Sequence, residues 1–249
     1  MMKLGIMLCD DHYPDSIPVY GHYDDAFKRM FEGSLITAVD TYRCFENEFP
    51  DSPHTCDLWL VTGSKWGVYD QDPWISQAAA FVQTCYQENV PLLGVCFGHQ
   101  LIHHALGGTV EKSDKGWGMG VYPIKTKGTA ETFSVPDNQT LNLIACHQDQ
   151  VIEPAPALSV VAGSTFCPVA ITHQQGKVLT MQCHPEFTPS FILQLIDRLR
   201  EKAGNDVIDR AIDSVHHFGE GDRCQAISLI FEFCQQLESR YPINRNAVY

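Results

Sequence analysis

Residues 90–100 read Val90-Pro-Leu-Leu-Gly-Val-Cys-Phe-Gly-His-Gln100, an apolar run that passes directly into a helix-like segment. Cys96 lies at the junction, with Gly94 and Gly98 two residues to either side. Small flanking residues permit a sharp strand-to-helix turn that projects the central side chain above the edge of a sheet. A helix N-terminus also supplies unpaired N–H groups, which favour a thiolate over a thiol. The stretch therefore predicts a cysteine nucleophile, and a buried structural cysteine is the simpler alternative.

Other short apolar runs, separated by turn residues, have the composition of buried strands. They occupy residues 4–8, 58–61, 90–95 and 178–182. Runs that are apolar on both faces are typical of a parallel or mixed sheet covered by helices. Helix-like segments lie between them, at residues 23–31, 74–89 and 98–106. The pattern predicts an α/β fold of three layers, in which helices flank a mostly parallel central sheet.

Two later regions differ from this alternation. Residues 116–126 and 141–161 contain short strands and turns, which predict a small antiparallel excursion from the main sheet. After residue 189 the pattern is helical, with Phe191, Leu195 and Leu199 on one face. We expect a catalytic domain over residues 1–190 and a C-terminal helical extension, residues 191–249, packed on the same domain. A small partner-binding extension is the alternative for these helices.

The composition argues against several classes of function. The chain has 249 residues, with 17 Lys and Arg against 30 Asp and Glu, and a formal net charge of −13. Such a charge repels phosphate backbones and anionic membrane surfaces, so we expect neither nucleic acid nor membrane as a partner. The N-terminal apolar stretch is too short for a secretory signal, and no stretch reaches the roughly 20 residues that span a bilayer. Ten scattered cysteines without a CxxC pair indicate free thiols in a cytoplasmic protein.

A second motif, Val178-Leu-Thr-Met-Gln-Cys-His-Pro-Glu186, ends a predicted strand with a histidine and a carboxylate. Two residues apart in an extended chain, His184 and Glu186 point their side chains the same way. His184 can then accept the thiol proton and later protonate a leaving amine, while Glu186 orients the imidazole. A surface turn is the alternative for this motif by itself, but together with Cys96 it indicates a Cys-His-Glu triad.

The two motifs, GVCFGHQ at residues 94–100 and HPEF at residues 184–187, resemble those of the class I glutamine amidotransferase family. The resemblance covers residues 1–190. In that family a cysteine attacks the carboxamide carbon of glutamine, ammonia leaves, and water hydrolyses the γ-glutamyl thioester to glutamate. The resemblance implies a flavodoxin-like fold, with Cys96 as nucleophile, His184 as acid and base, and Glu186 as the orienting carboxylate.

An acyl-transfer enzyme also needs hydrogen-bond donors for the oxyanion that develops on the carbonyl oxygen. The backbone N–H of Phe97, at the start of the predicted helix, is one donor by its position. The resemblance implies that the other is the N–H of Gly63 or Ser64, in the stretch LVTGSK at residues 60–65. This stretch departs from the commoner Gly-Gly-Pro pattern of the family, which leaves open how the loop is held. An ordinary strand-ending turn at Gly63 is the alternative.

Four further residues are predicted to contact the substrate. Gln100 lies one helical turn beyond Cys96, so its amide falls on the same helix face, and the family contacts glutamine from this position. The segment CHQDQV at residues 146–151 resembles the His-x-Asp-x-Val segment of the family. The resemblance implies that His147, Gln148 and Asp149 wall the amino-acid end of the substrate. A structural turn with a buried imidazole is the alternative.

Three histidines of the predicted helix, His99, His103 and His104, raise the question of a metal site. His99 and His103 have i, i+4 spacing, but neither a third ligand with supporting spacing nor an HExxH motif accompanies them. Because the family that the chain resembles is metal-independent, we expect no metal and no cofactor. The three histidines are assigned to helix packing or to the surface.

The residues after 190 are too few for an ATP-dependent synthetase, and no GxxxxGK[ST] phosphate loop occurs. The chain is therefore an amidotransferase subunit with a separate synthetase as partner, or a hydrolase in its own right. Residues 7–11 and 19–23 resemble the stand-alone branch of the family, which includes the γ-glutamyl peptidases. This implies glutamine or a γ-glutamyl small molecule as substrate. A non-catalytic module that binds γ-glutamyl metabolites, and a Cys-His hydrolase of other acyl groups, are the remaining alternatives.

Overall fold

The structure is a computed structural model that describes residues 1–128 and 133–240. The strands are β1 Met2–Leu8, β2 Ile36–Arg43, β3 Leu58–Val61, β4 Leu92–Val95, β5 Thr109–Lys112, β6 Gly118–Thr126, β7 Thr140–His147, β8 Asp149–Glu153, β9 Ser159–Gly163, β10 Ile171–Gln174 and β11 Val178–Met181. The helices are α1 Ile17–Tyr20, α2 Tyr23–Met30, α3 Pro73–Gln87, α4 Phe97–Ala105, α5 Pro189–Asp197, α6 Arg200–Ala203, α7 Asn205–His216 and α8 Glu220–Arg240.

One large sheet organises the chain, with the strand order β2-β1-β3-β4-β11-β10-β9-β6-β7. From β2 to β11 neighbouring strands run parallel. From β11 to β7 they run antiparallel. Strands β5 and β8 form a separate antiparallel pair. The predicted α/β fold is confirmed, and so is its antiparallel excursion.

The parallel strands form the middle layer of three. Every residue of β3, β4 and β11 is buried, because helices cover both faces of the sheet. Helices α3 and α4 pack against one face, where Trp59 and Phe97 are fully buried. Helices α2, α5, α7 and α8 pack against the other face, where Phe27 and Phe233 are fully buried.

Two element starts follow from local sequence signals. Helix α3 begins at Pro73, after Asp72 in an extended conformation, and proline suits the first position of a helix because its missing N–H would have no partner there. Helix α4 begins at Phe97, so the nucleophile candidate Cys96 is its N-cap residue. The parallel strands β1, β3, β4 and β11 all end at the same edge of the sheet, and this is the edge where ligands bind in open α/β folds.

The helices after residue 189 cover the antiparallel part of the sheet. Helix α7 packs against β6, α8 packs against β7, and α5 packs against α7. Residues 241–249 of the predicted extension lie outside the described residues, and the division into a catalytic domain over residues 1–190 and an extension packed on the same domain stays a prediction. No helix in the described ranges combines the length and the apolar character that crossing a bilayer requires.

Candidate active site

The site is built around Cys96, at the turn between β4 and α4. Its backbone has φ of 53° and ψ of −106°, a conformation that few residues other than glycine adopt. The Cys96 N–H donates to the carbonyl oxygen of Met181, at the end of β11, over 2.9 Å. The Gly98 N–H donates to the carbonyl oxygen of Thr62, directly after β3, over 3.1 Å. The sharp turn predicted from the sequence is therefore held by the strands on both sides of β4.

His184 and Glu186 are brought together, although not in the way that the sequence suggested. The strand that was expected to continue to Glu186 ends at Met181, and both residues lie in the turn that follows. The strand prediction was wrong here because the His184 N–H leaves the β11 ladder and donates to Ile144 of β7 over 2.8 Å. The turn places His184 Nδ1 2.7 Å from Glu186 Oε1, with both side chains buried.

The surroundings of His184 favour its charged form. Burial opposes the charge, but the negative charges of Glu186 and of a Cys96 thiolate, with hydrogen bonds to both, raise the pKa of His184 to about 10. Because Nδ1 faces Glu186, the other ring nitrogen is the one available to Cys96. Phe187 stacks on the imidazole, with ring centroids 4.0 Å apart and an angle of 3° between the planes. The ring is therefore held in one orientation.

The predicted oxyanion residues Gly63, Ser64 and Phe97 lie around Cys96. A Cβ atom on Gly63 would lie 3.6 Å from Cys96 Cβ and 3.1 Å from His184 Cε1, so the Gly63 backbone borders both groups. Phe97 follows Cys96 as the first residue of α4. Their role as oxyanion donors stays a prediction.

The loop of Gly63 is anchored without the proline of the commoner pattern. Ser64 Oγ donates to the carbonyl oxygen of Cys9 over 2.9 Å and accepts from the Trp66 N–H over 3.2 Å. Lys65 bonds Asp10 twice, through its N–H over 3.1 Å and through Nζ over 2.8 Å. These contacts attach the loop to Cys9 and Asp10, directly after β1. Side-chain hydrogen bonds therefore anchor the loop in the absence of the family's proline.

The residues predicted for the substrate's amino-acid end form one network. Gln100 Nε2 donates to the carbonyl oxygen of Asp149 over 2.9 Å and to Gln182 Oε1 over 3.1 Å. His147 Nε2 lies 2.6 Å from the Tyr122 hydroxyl, and its Nδ1 lies 3.1 Å from the Asp149 carbonyl oxygen. Burial lowers the pKa of His147 to about 3, so its ring is neutral. Both ring nitrogens of His147 are therefore engaged within the protein, and the half-buried Gln148 lies beside it.

A cavity of about 540 Å³ opens over Cys96 and His184. Of the predicted site residues, it is lined by Cys96, His184, Gly63, Ser64, Gln100, His147, Gln148 and Asp149, whereas Phe97 and Glu186 lie behind its surface. The loop of residues 65–70 forms part of the rim, and its Tyr69 hydroxyl donates to Asp149 Oδ2 over 2.8 Å. The structure thus places the predicted residues in or directly behind the lining of a single cavity.

Sequence reasoning missed Tyr23, the first residue of α2. Its hydroxyl donates to Glu186 Oε1 over 2.7 Å, the same oxygen that faces His184. Burial and the Glu186 charge raise the pKa of Tyr23 well above its ordinary value, so the phenol stays protonated and donates. An amphipathic helix beginning with tyrosine carries no local signal for this role, because the contact joins residues 163 positions apart.

Two of the three helix histidines are buried and hydrogen-bonded to threonines. His99 Nδ1 lies 2.7 Å from Thr180 Oγ1, and His103 Nε2 lies 2.9 Å from Thr172 Oγ1. His104 is exposed. Within the described part of the chain, no group of three or more His, Cys, Asp or Glu residues could hold a metal ion.

Comparison with known proteins agrees with this geometry. The family model for glutamine amidotransferase class-I matches residues 42–192, and the chain belongs to this family. It is 28% identical to γ-glutamyl peptidase 2 of Arabidopsis thaliana over 206 residues, which cover 80% of this chain and 83% of the relative. It is 31% identical to the glutamine-hydrolysing GMP synthase of Aromatoleum aromaticum over 137 residues, which cover 52% of this chain and 25% of the relative. A crystal structure of a glutamine amidotransferase from Thermotoga maritima shares the fold, with a TM-score of 0.70, 18% identity, and coverage of 93% of this chain and 96% of that one.

The Tyr23 contact predicts a defined kinetic defect. Tyr23→Phe removes the hydroxyl that holds Glu186 and should lower kcat about 10- to 100-fold, because hydrogen bonds to buried charges contribute roughly 1.5–3 kcal/mol. KM should change much less, since the hydrogen bonds of Gln100, which is predicted to contact the substrate, are untouched. Steady-state kinetics of a γ-glutamyl substrate measure both, with Tyr42→Phe, on the edge strand β2, as the matched control. An unchanged kcat in Tyr23→Phe would show that the contact is only structural.

Proposed function

We propose that this protein hydrolyses γ-glutamyl amide bonds through a thioester on Cys96. The observation that supports this most strongly is the position of His184, buried between Cys96 and Glu186 at the floor of a cavity. Membership of the glutamine amidotransferase class-I family agrees with chemistry at a C–N bond. We assign this catalytic unit to residues 1–190.

The first half-reaction forms the thioester. The Cys96 thiolate attacks the δ-carbon of the γ-glutamyl group, and the negative charge moves to the carbonyl oxygen. The N–H groups of Phe97 and of Gly63 or Ser64 stabilise this oxyanion; one such donor is worth about 2.7–4 kcal/mol in a comparable site. The C–N bond breaks as His184 gives its proton to the leaving nitrogen. Ammonia or an amine departs, and the γ-glutamyl group stays on sulfur.

The second half-reaction frees the enzyme. Neutral His184 takes a proton from water, and the resulting hydroxide adds to the thioester carbon at the same oxyanion site. Collapse of this intermediate breaks the C–S bond and releases glutamate. The thiolate and the imidazolium are restored, and Glu186 holds the ring in place throughout.

The γ-glutamyl end of the substrate is assigned to the network of Gln100, His147 and Asp149. Both N–H donors of the Gln100 amide are used inside the protein, so its carbonyl oxygen is the group left to accept from the substrate ammonium. The His147 ring is neutral, and both of its nitrogens are hydrogen-bonded within the protein. We therefore assign His147 to positioning this side of the cavity rather than to binding the substrate directly. Gln148 completes the wall at the opening.

Two substrate classes fit the same thioester. Glutamine would release ammonia, and a separate synthetase would then be the partner that uses it; the relative named GMP synthase supports this class. A γ-glutamyl peptide would release an amine and needs no partner, and the relative named γ-glutamyl peptidase 2 supports this one. An intact nucleophile, base and carboxylate favour either of them over a non-catalytic γ-glutamyl-binding module.

A glutamine-mimicking electrophile tests the nucleophile. We expect 6-diazo-5-oxo-norleucine to label the protein once and Cys96→Ala to abolish the labelling. Cys146→Ala is the matched control, because Cys146 also lines the cavity, and burial raises the pKa of its thiol to about 12. Mass spectrometry of the intact protein counts the adducts. Labelling that persists in Cys96→Ala would contradict the assignment.

The raised pKa of His184 predicts the pH dependence. Because the ring keeps its proton up to a pH of about 10, kcat/KM should fall as the pH rises through about 10, where the leaving amine loses its proton donor. Glu186→Gln removes the charge that raises this pKa, so the fall should move to lower pH. The maximal rate should drop roughly 100- to 10,000-fold.

The measurement is kcat/KM against pH for both proteins. Glu48→Gln, which changes an exposed glutamate, is the control and should follow the unchanged profile. An alkaline midpoint that stays in place in Glu186→Gln would separate Glu186 from the catalytic proton.

A further inference from the structure

The cavity continues beyond the triad along a stretch that begins inside the family's matched segment, residues 42–192, and extends past its end. Four large apolar residues with a spacing of four line it from this side, and we call them the α5 wall: Phe187, Phe191, Leu195 and Leu199. Lys202 of α6 lines the cavity at the end of this stripe. We propose that the α5 wall and Lys202 bind the amine portion of the substrate, an α-amino acid with an apolar side chain and a free carboxylate. This rests on the proposed γ-glutamyl hydrolysis.

The position of His184 directs the amine portion to this wall. The residue that protonates the leaving nitrogen must lie next to it. Phe187 stacks on the His184 ring at 4.0 Å, and Phe191 packs on Phe187 with ring centroids 4.7 Å apart. A leaving group that departs beside His184 therefore meets the α5 wall first. Gln100, on α4, borders the cavity from the opposite face of the sheet.

Hydrolysis of glutamine does not account for the α5 wall. Ammonia has no carbon atoms to bury, so a leaving-group region built for it needs no apolar surface. The cavity volume of about 540 Å³ lies in the range of roughly 300–1,000 Å³ that is typical of pockets for larger ligands. Phe187 and Phe191 are buried, while Leu195 and Leu199 are half-buried and present apolar surface at the opening.

Charge at the rim points to a carboxylate on the amine portion. Lys202 is exposed, and among the side chains that the structure describes no carboxylate forms an ion pair with its ammonium group. The carboxylates that line the same cavity already have partners. Asp10 bonds Lys65, and Asp11 accepts from Arg43 and lies 2.7 Å from His22 Nδ1.

The remaining two carboxylates of the cavity are also engaged. Asp70 accepts from the Gly67 N–H, and Asp149 accepts from the Tyr69 hydroxyl. In a chain with a net charge of −13, Lys202 is thus a cation that is free to meet an anionic ligand. Its place at the end of the α5 wall puts the carboxylate of the bound amino acid at the opening, with the apolar side chain against the leucines.

Four substrates separate the contribution of the free carboxylate from that of the apolar side chain. We would measure kcat/KM for γ-glutamylphenylalanine, its C-terminal amide, γ-glutamylglycine and glutamine, by glutamate release without any added protein. The wild type should prefer γ-glutamylphenylalanine to its amide about two- to fivefold, the range of an exposed ion pair. It should prefer phenylalanine to glycine in the leaving position by about tenfold or more.

Two variants locate these preferences. Lys202→Gln should abolish the preference for the free carboxylate by lowering kcat/KM for γ-glutamylphenylalanine to that for its amide, and an unchanged thermal unfolding midpoint shows that the variant is folded. Leu195→Ala should reduce the preference for phenylalanine over glycine about three- to tenfold. Lys177→Gln is the control, because Lys177 lies over the Tyr86 ring and does not line the cavity.

The failures of the two proposals are distinguishable. Turnover of glutamine with no preference among the peptides would overturn the α5 wall and leave the γ-glutamyl hydrolysis standing. If Lys202→Gln lowers kcat/KM by the same factor for all four substrates, the assignment of Lys202 to the carboxylate is also overturned. No turnover of any substrate, with no labelling of Cys96, would overturn both.

Discussion

Cys96 holds a backbone conformation with φ of 53° and ψ of −106°, and the geometry of the whole site depends on it. A non-glycine residue in such a conformation costs on the order of 1–3 kcal/mol and persists only where its surroundings enforce it. A Cβ atom on Gly98 would lie 2.0 Å from the Val61 carbonyl oxygen, so only glycine lets α4 pack this closely on β3. The Cys96 N–H is bonded to the end of β11. The strands that hold Cys96 therefore also lead to Gly63 and to His184, which fixes the three groups relative to one another.

The elements around this turn divide the cavity between the two faces of the sheet. Helix α4 brings Gln100 from one face, where its amide donates to Asp149, the first residue of β8. Helices α2 and α5 come from the other face. Tyr23 of α2 donates a hydrogen bond to Glu186, and Phe191 of α5 packs against Phe187, which stacks on the His184 ring. A reaction that begins with a γ-glutamyl group on one side and ends with an amine on the other suits this arrangement. In our proposal the C-terminal helices take part in substrate recognition as well as in the core.

Much of the fold could be predicted because burial on both faces leaves a continuous apolar run, as in β3 and β4. The edge strand β2 could not, because most of its residues are partly or fully exposed and its sequence is mixed. Cys96, His184 and Glu186 belong to short motifs, so their proximity could be predicted, although the turn that joins His184 to Glu186 could not. The role of Tyr23 could not be predicted from nearby residues, because only the folded chain brings its hydroxyl to Glu186.

The central claim is that a γ-glutamyl thioester forms on Cys96, and trapping that intermediate tests it most directly. The protein would be mixed with γ-glutamylphenylalanine, quenched in acid within one turnover, digested, and analysed by mass spectrometry. We predict a mass increase of one γ-glutamyl group on the peptide that contains Cys96, and its loss on longer incubation as glutamate appears. Glutamate release with no acylated Cys96 peptide at any time, or acylation of another cysteine such as Cys146, would contradict the account.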